Sequence, residues 1–279
     1  MDASGLSPKQ QLIKISAAAG EQIKNQYQVL NRSIIPTMKK LGFSLVHKND
    51  LTNAQVNFLK KFFEKELRPV LTPMAIDSTR PFPFLANDTL NIGVRLKKND
   101  EQSEKYIAVL QVPETSGRVI ALPEENQVIL VEDVVQLFLD ALFPGYTIKE
   151  SNVFHILRDM ELDVADDEDT PNILQEVQSK LQERERGRVI RVIVSANTGK
   201  MLMTQLIKAL QVPDDRIYEV SGPIDLTFIS SWLKVIDAPT LEYTSFHGYE
   251  NPDLTADKIF ESIRKRDYLL HHPMIHLSQ

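Results

Sequence analysis

The chain contains no cysteine, which removes thiolate nucleophiles, disulfides and every cysteine-liganded zinc or iron–sulfur centre. It has no excess of positive charge either: 32 Lys+Arg stand against 38 Asp+Glu, a net charge of -6. That balance argues against a general nucleic-acid-binding surface, so any polyanion site must be local. No apolar run approaches the ~20 residues of a spanning helix, and Met1 to Gln10 lacks the apolar core of a signal peptide. A cytoplasmic protein without a transmembrane segment is expected. Glycine is scarce, with 10 residues against 15 prolines. The prolines gather in particular connections, so the chain reads as compact with stiff turns, neither low-complexity nor disordered. There is no internal repeat. The phosphate loop GxxxxGK[ST], the dinucleotide turn GxGxxG, HExxH and the GxSxG elbow are all missing, which leaves the commonest enzyme sites unsupported.

What is present suits one large globular domain or two modest ones, with 279 residues of which 42% are hydrophobic. Ser7-Pro8 is a suitable N-cap and first-turn pair, and Leu12, Ile15, Ala19, Ile23, Tyr27 and Leu30 recur at helix spacing up to Leu41. Pro36 should kink or end that helix, and Gly42 should stop it. Phe43–Val46 reads as a short strand and Leu51–Leu67 as a helix with Val56, Leu59, Phe63 and Leu67 on its packed side. Leu90, Ile92, Val94 and Leu96 alternate with Asn91, Gly93 and Arg95, the pattern of a strand with one buried face. Tyr106–Val112 can pair with it across a polar turn. Further along, a helix is expected over Val131–Phe143 and a strand over Val153–Val164. An exposed helix over Asn172–Arg186, a strand over Val189–Ile193 and helices over Met201–Leu210 and Ile229–Val235 complete the reading. Local connections of both kinds favour α+β, a helical N-terminal segment followed by a mixed α/β domain with a largely antiparallel sheet, over a doubly wound parallel one.

The acidic run Asp166 to Asp169 could supply oxygen ligands to a hard cation. It lacks the glycine and distal glutamate of a calcium loop, and with Thr170-Pro171 after it the acidic start of a helix is the better reading. No metal site is assigned. His271 and His272 are adjacent, so on a strand they would point to opposite faces, and His47, His155 and His247 stand alone in sequence. Ile263 to Pro273 contains Arg264, Lys265 and Arg266, donors suited to phosphate. On chemistry alone a charged helix end, where cations complement the dipole, is preferred.

The run Arg68-Pro-Val-Leu-Thr-Pro-Met-Ala-Ile-Asp77, with Arg80-Pro-Phe-Pro-Phe-Leu85 and Leu90-Asn-Ile-Gly-Val-Arg-Leu96, resembles the middle region of bacterial polyphosphate kinases of the first type. Leu142-Phe-Pro-Gly145, Arg158-Asp-Met-Glu-Leu-Asp-Val164, Val220-Ser-Gly-Pro-Ile-Asp-Leu226 and the segment Ile259 to Pro273 follow in the family's order. The resemblance covers nearly the whole chain. It implies residues 1–41 as the end of a helical N-terminal domain, 42–262 as the head domain, and 263–279 as the start of the first catalytic domain, cut short.

Such enzymes reversibly move the terminal phosphate of ATP onto polyphosphate through a phosphohistidine, with Mg2+. The family's phosphorylated histidine and most nucleotide contacts lie in two C-terminal domains that have no counterpart here, so the resemblance implies no catalytic residue in this chain. His271 and His272 are not the phosphorylated one. Mg2+ and ATP are expected for the full-length family and neither is expected to be held by this chain alone. A homo-oligomer through the head domain, polyphosphate and a separate chain carrying the catalytic domains are the partners implied, and no nucleic acid. Arg80, Arg264, Lys265 and Arg266 are the candidate phosphate contacts, surface or ion-paired cations being the alternative. A non-enzymatic module for self-association or polyanion binding is the alternative function. After Pro273 the chain reads Met274-Ile-His-Leu-Ser-Gln279, where the family continues Tyr-x-Ser-Phe. A one-base deletion in codons for Tyr-Asp-Ser-Phe gives Met-Ile-His and then Leu or Phe, so a truncating frameshift is the hypothesis, with a truncated gene prediction or a split enzyme as the alternatives; sequencing the locus tests it.

Overall fold

The computed structural model describes residues 5–76, 83–99, 106–113, 117–124, 126–159, 187–196, 198–236, 238–244, 251–252, 254–255 and 257–269. They fall into two compact units, Met1–Ile236 and Asp237–Gln279. In the first, helix α1 (Pro8–Val29) opens with a capping box: the Ser7 hydroxyl accepts from the Gln10 N–H while the Gln10 side chain accepts from the Ser7 N–H. Pro36 neither ends nor sharply breaks the helix. The backbone instead widens into a π turn over Leu30–Ile34, with Ile35 N–H donating to Leu30 O, and resumes as α2 (Ile35–Lys40). A proline ring crowds the carbonyl four residues back and offers it no N–H, and a wider turn relieves both. The same arrangement recurs at the same offset from Pro69. Helix α3 (Asn53–Phe62), capped by a Thr52/Gln55 box, widens into a π turn over Phe63–Leu67, with Arg68 N–H donating to Phe63 O. Leu59, Phe63 and Leu67 are completely buried along this helix.

Two sheets follow. The smaller contains β1 (Ser44–Leu45), β6 (Gln127–Leu130) and β5 (Val119–Ala121) in that order, β1 parallel and β5 antiparallel to β6. The larger is six-stranded, with β2 (Met74–Ile76), β4 (Tyr106–Gln111), β3 (Thr89–Lys98), β7 (Tyr146–Arg158), β8 (Val189–Ser195) and β9 (Ile217–Val220) in spatial order. Every pair in it is antiparallel except β8 and β9, which are joined by helix α5 (Lys200–Leu210). This is the mixed, largely antiparallel α+β architecture that the residue pattern predicts.

The alternation in β3 predicts one buried face, but both faces are covered. Asn91 is fully buried, and α5 lies directly on Gly93, where a Cβ would stand 3.4 Å from the Cδ1 atoms of Leu202 and Leu206. The absent side chain is what lets the helix approach the sheet. Ile107, Val109, Phe154, Ile156, Val192 and Val194 complete the core on that face. Two boundaries also differ from expectation. Helix α4 (Val131–Leu137) stops early because Phe138 leaves helical geometry at φ -114° and sets its ring 5.1 Å from that of Phe63; a short 3-10 turn, Leu139–Ala141, follows. Strand β7 begins at Tyr146, since the far end of β3 pairs with it beyond a bulge at Arg95/Leu96. The expected helix over 172–186, the acidic run 166–169 and the end of the expected strand over 153–164 lie outside the described residues. In the second unit, the last helix is α7 (Ile259–Lys265); helix α6 (Phe228–Val235) closes the first.

Candidate functional site

Arg264 and Lys265 occupy the last turn of α7 and Arg266 follows it, its guanidinium 4.8 Å from the Tyr268 ring centroid. All three are exposed, as a charged helix end predicts and as a surface phosphate contact also requires. Arg80, His271 and His272 lie outside the described residues.

A different set of polar side chains meets in the first unit. The carboxyl ends of β8 and β9 open on a cleft of about 440 Å³ lined by Ser195, by Gly222 to Ile224 beyond β9, by Ser151 of β7, by Gln136 and Asp133 of α4, and by His47 and Lys48 after β1. Gln136 organises it: its amide nitrogen donates to the Ser151 carbonyl and hydroxyl at 3.1 and 3.2 Å, and its amide oxygen accepts from the Lys48 ammonium at 2.7 Å. Lys48 is half-buried, and burial lowers its pKa against the opposing pull of Asp133. His47 stands 3.6 Å from the Asp133 carboxylate, and that carboxylate raises the imidazole pKa above its ordinary value against the opposing effect of burial.

Two anchors hold the cleft wall. Arg118, between the two sheets, grips the Glu132 carboxylate at 2.7 Å and Asp225 at 3.0 Å and donates to the carbonyls of Ile224 and Asp225. Glu132 is only 4% exposed; burial raises its pKa and the Arg118 charge opposes the rise. From the other side, the Tyr27 hydroxyl of α1 donates to Pro223 O at 2.7 Å and Asn31 to Ser221 O at 2.6 Å. Burial pushes the Tyr27 phenol up to about 12, so it remains a donor. Away from the cleft, the buried His155 pairs with Asp88 at 3.0 Å and Arg158 ties Leu85 O to Gly187 O while lying 4.6 Å from the Phe84 ring centroid. These contacts fix the Leu85–Asp88 turn, and Asp88 takes a positive φ of 57° there.

Sequence reasoning passed over Lys48, Gln136 and Arg118. Lys48 and Gln136 are 88 residues apart, and Arg118 is 107 from Asp225, so no local spacing could have paired them. His47 stands alone in sequence because its carboxylate partner sits on another element. Among the described residues no group of three Asp, Glu or His side chains is arranged to hold a metal ion, and no helix is long and apolar enough to cross a membrane.

Comparison with known proteins now adds to this geometry. The family model "Polyphosphate kinase middle domain" matches residues 54–232. The polyphosphate kinase of Lactiplantibacillus plantarum is 40% identical over 274 residues, a match that takes in 98% of this chain and 38% of that protein. That of Halalkalibacterium halodurans is 35% identical, covering 97% of this chain and 39% of its own length. The crystal structure of polyphosphate kinase from Porphyromonas gingivalis superposes with a TM-score of 0.72 at 22% identity, over 96% of this chain and 39% of that one. The chain therefore spans less than half the length of the curated relatives it matches.

Proposed function

This chain belongs to the polyphosphate kinase family, and from that premise we propose that it supplies the head-domain portion of an ATP:polyphosphate phosphotransferase. The observation that carries the reading is the match to the L. plantarum enzyme, which runs along 98% of this chain at 40% identity. In this reading the family reaction moves the terminal phosphate of ATP to polyphosphate through a phosphohistidine on the C-terminal catalytic domains. The head domain walls the phosphate path and contributes subunit contacts. Phosphoryl transfer rests on positioning and on cations that neutralise the transferring group. The described residues bring together no trio fit for Mg2+, and no magnesium step is placed on them. Both described histidines already face carboxylates, His47 with Asp133 and His155 with Asp88.

The purified chain, incubated with ATP and Mg2+, is expected to make no polyphosphate. Robust synthesis that persists when His271 and His272 are both replaced would sink the reading, because the chemistry would then reside in the head domain itself. Arg264, Lys265 and Arg266 are exposed, and with Arg80 they serve in this proposal as contacts for the polyanion.

A further inference from the structure

The cleft at the ends of β8 and β9 has the topology of a ligand site. Beyond β8 the chain enters α5, which lies on the Gly93 face of the sheet. Beyond β9 it passes through Ser221–Leu226 on the opposite face: Ser151, which lines the same cleft as Gly222 to Ile224, pairs with Val94, and neighbouring residues of a strand point to opposite faces. Adjacent parallel strands whose continuations leave on opposite faces open a crevice outside their carboxyl ends, the place where open sheets take ligands. At about 440 Å³ the crevice here falls in the range of small-molecule sites.

Among the lining residues, Lys48 is the cation that no described carboxylate meets at ion-pair distance. Glu132 is met by Arg118 at 2.7 Å and Asp133 faces His47 at 3.6 Å. Lys48 forms no ion pair with a described residue, and its side-chain hydrogen-bond partner among them is the neutral amide oxygen of Gln136. An ammonium has three N–H donors, so two remain for a ligand. Two hydroxyls are also open. Ser151 accepts from Gln136 and keeps its proton to give. Ser195, at the strand end, also lines the cleft, its carbonyl taken by Thr198 N–H and its hydroxyl bonded to no described residue. Burial disfavours the protonated form of this ammonium, and the longer-range pull of Asp133 only partly offsets it; an anion in direct contact would favour the charged form further.

We propose that this crevice binds a small free molecule through its phosphate group, with Lys48 as the anchoring cation and the Ser151 and Ser195 hydroxyls as flanking donors. The site goes beyond the head-domain reading above and does not need the phosphotransfer activity. The end of a polyphosphate chain offers the same phosphate chemistry, and the experiment separates the two sources.

Orthophosphate, glycerol phosphate and long-chain polyphosphate are titrated separately into the full chain, and binding is followed by amide chemical shifts and calorimetry. The two small probes should move the amides of Lys48, Ser151, Ser195 and Gly222, and Lys48→Met should weaken them by about tenfold or more, as loss of a charge-assisted hydrogen bond implies. Lys48→Arg should restore most of the affinity, which separates a lost cation from a misfolded cleft. Neutralising Arg264, Lys265 and Arg266 together should leave small-probe binding unchanged while lowering polyphosphate affinity, so the two proposals fail independently. Small-probe shifts confined to other surfaces, an affinity indifferent to Lys48→Met, or occupancy of the cleft by long-chain polyphosphate alone would each overturn the inference.

Discussion

Two histidines with carboxylate partners respond to pH in opposite senses. The neighbouring Asp133 carboxylate raises the His47 pKa, so the stability that pairing contributes is fully present below the unfolded pKa of about 6.5 and is lost as pH climbs through the folded value. His155 is 6% exposed, and burial lowers its pKa despite the attraction of Asp88. Its contribution is present above about 6.5 and is lost as pH falls through the folded value, where the buried imidazole must take up a proton. Melting temperatures measured across about pH 5 to 8 should therefore show His155→Gln flattening the loss of stability on the acid side and His47→Gln flattening the loss that accompanies rising pH. The same slopes in both variants as in the parent chain would remove these assignments. Neither pairing was legible in the sequence: His47 and Asp133 come from different elements, and Asp88 and His155, 67 positions apart, share no pattern.

At the scale of elements, local signals did well wherever the physics is local. Ser7 with Gln10 and Thr52 with Gln55 mark helix starts because a cap is satisfied within three residues. Pro36 and Pro69 announce a disturbance, although a π turn in place of a break depends on the packing of Leu30, Phe63 and Leu67, all completely buried. Gly93 shows the reverse case. In sequence it occupies an exposed-looking alternate position of β3, whereas in the fold it is the floor on which α5 rests. Gly93→Val should force Leu202 and Leu206 off the sheet and cost about 1–3 kcal/mol, as overpacking does. Denaturant unfolding would register the loss, and the paired change Gly93→Val with Leu206→Ala should recover part of it; an unaltered midpoint for Gly93→Val would show that α5 does not seat there.

For the whole molecule, the first unit carries the family match and both sheets, and the proposal that its head domain contributes subunit contacts predicts self-association. Sedimentation should find the chain as a dimer at micromolar concentration, and a monomer throughout that range would leave the phosphate surfaces as its contribution. Added long-chain polyphosphate should bind with an affinity that falls steeply with salt, as counterion release from a linear polyanion requires. The sequence by itself determined the family, because unusual words such as Arg68 to Asp77 and Val220 to Leu226 stand in the family's order. It also determined the α+β class, through apolar alternation in some stretches and helical spacing in others. Only the tertiary structure decided what covers each apolar face, which cations are neutralised by carboxylates and where a cleft opens. Periodicity reports that a face is apolar without naming its cover. The Lys48–Gln136 and Arg118–Asp225 contacts join residues 88 and 107 positions apart, a separation across which a single sequence leaves no trace.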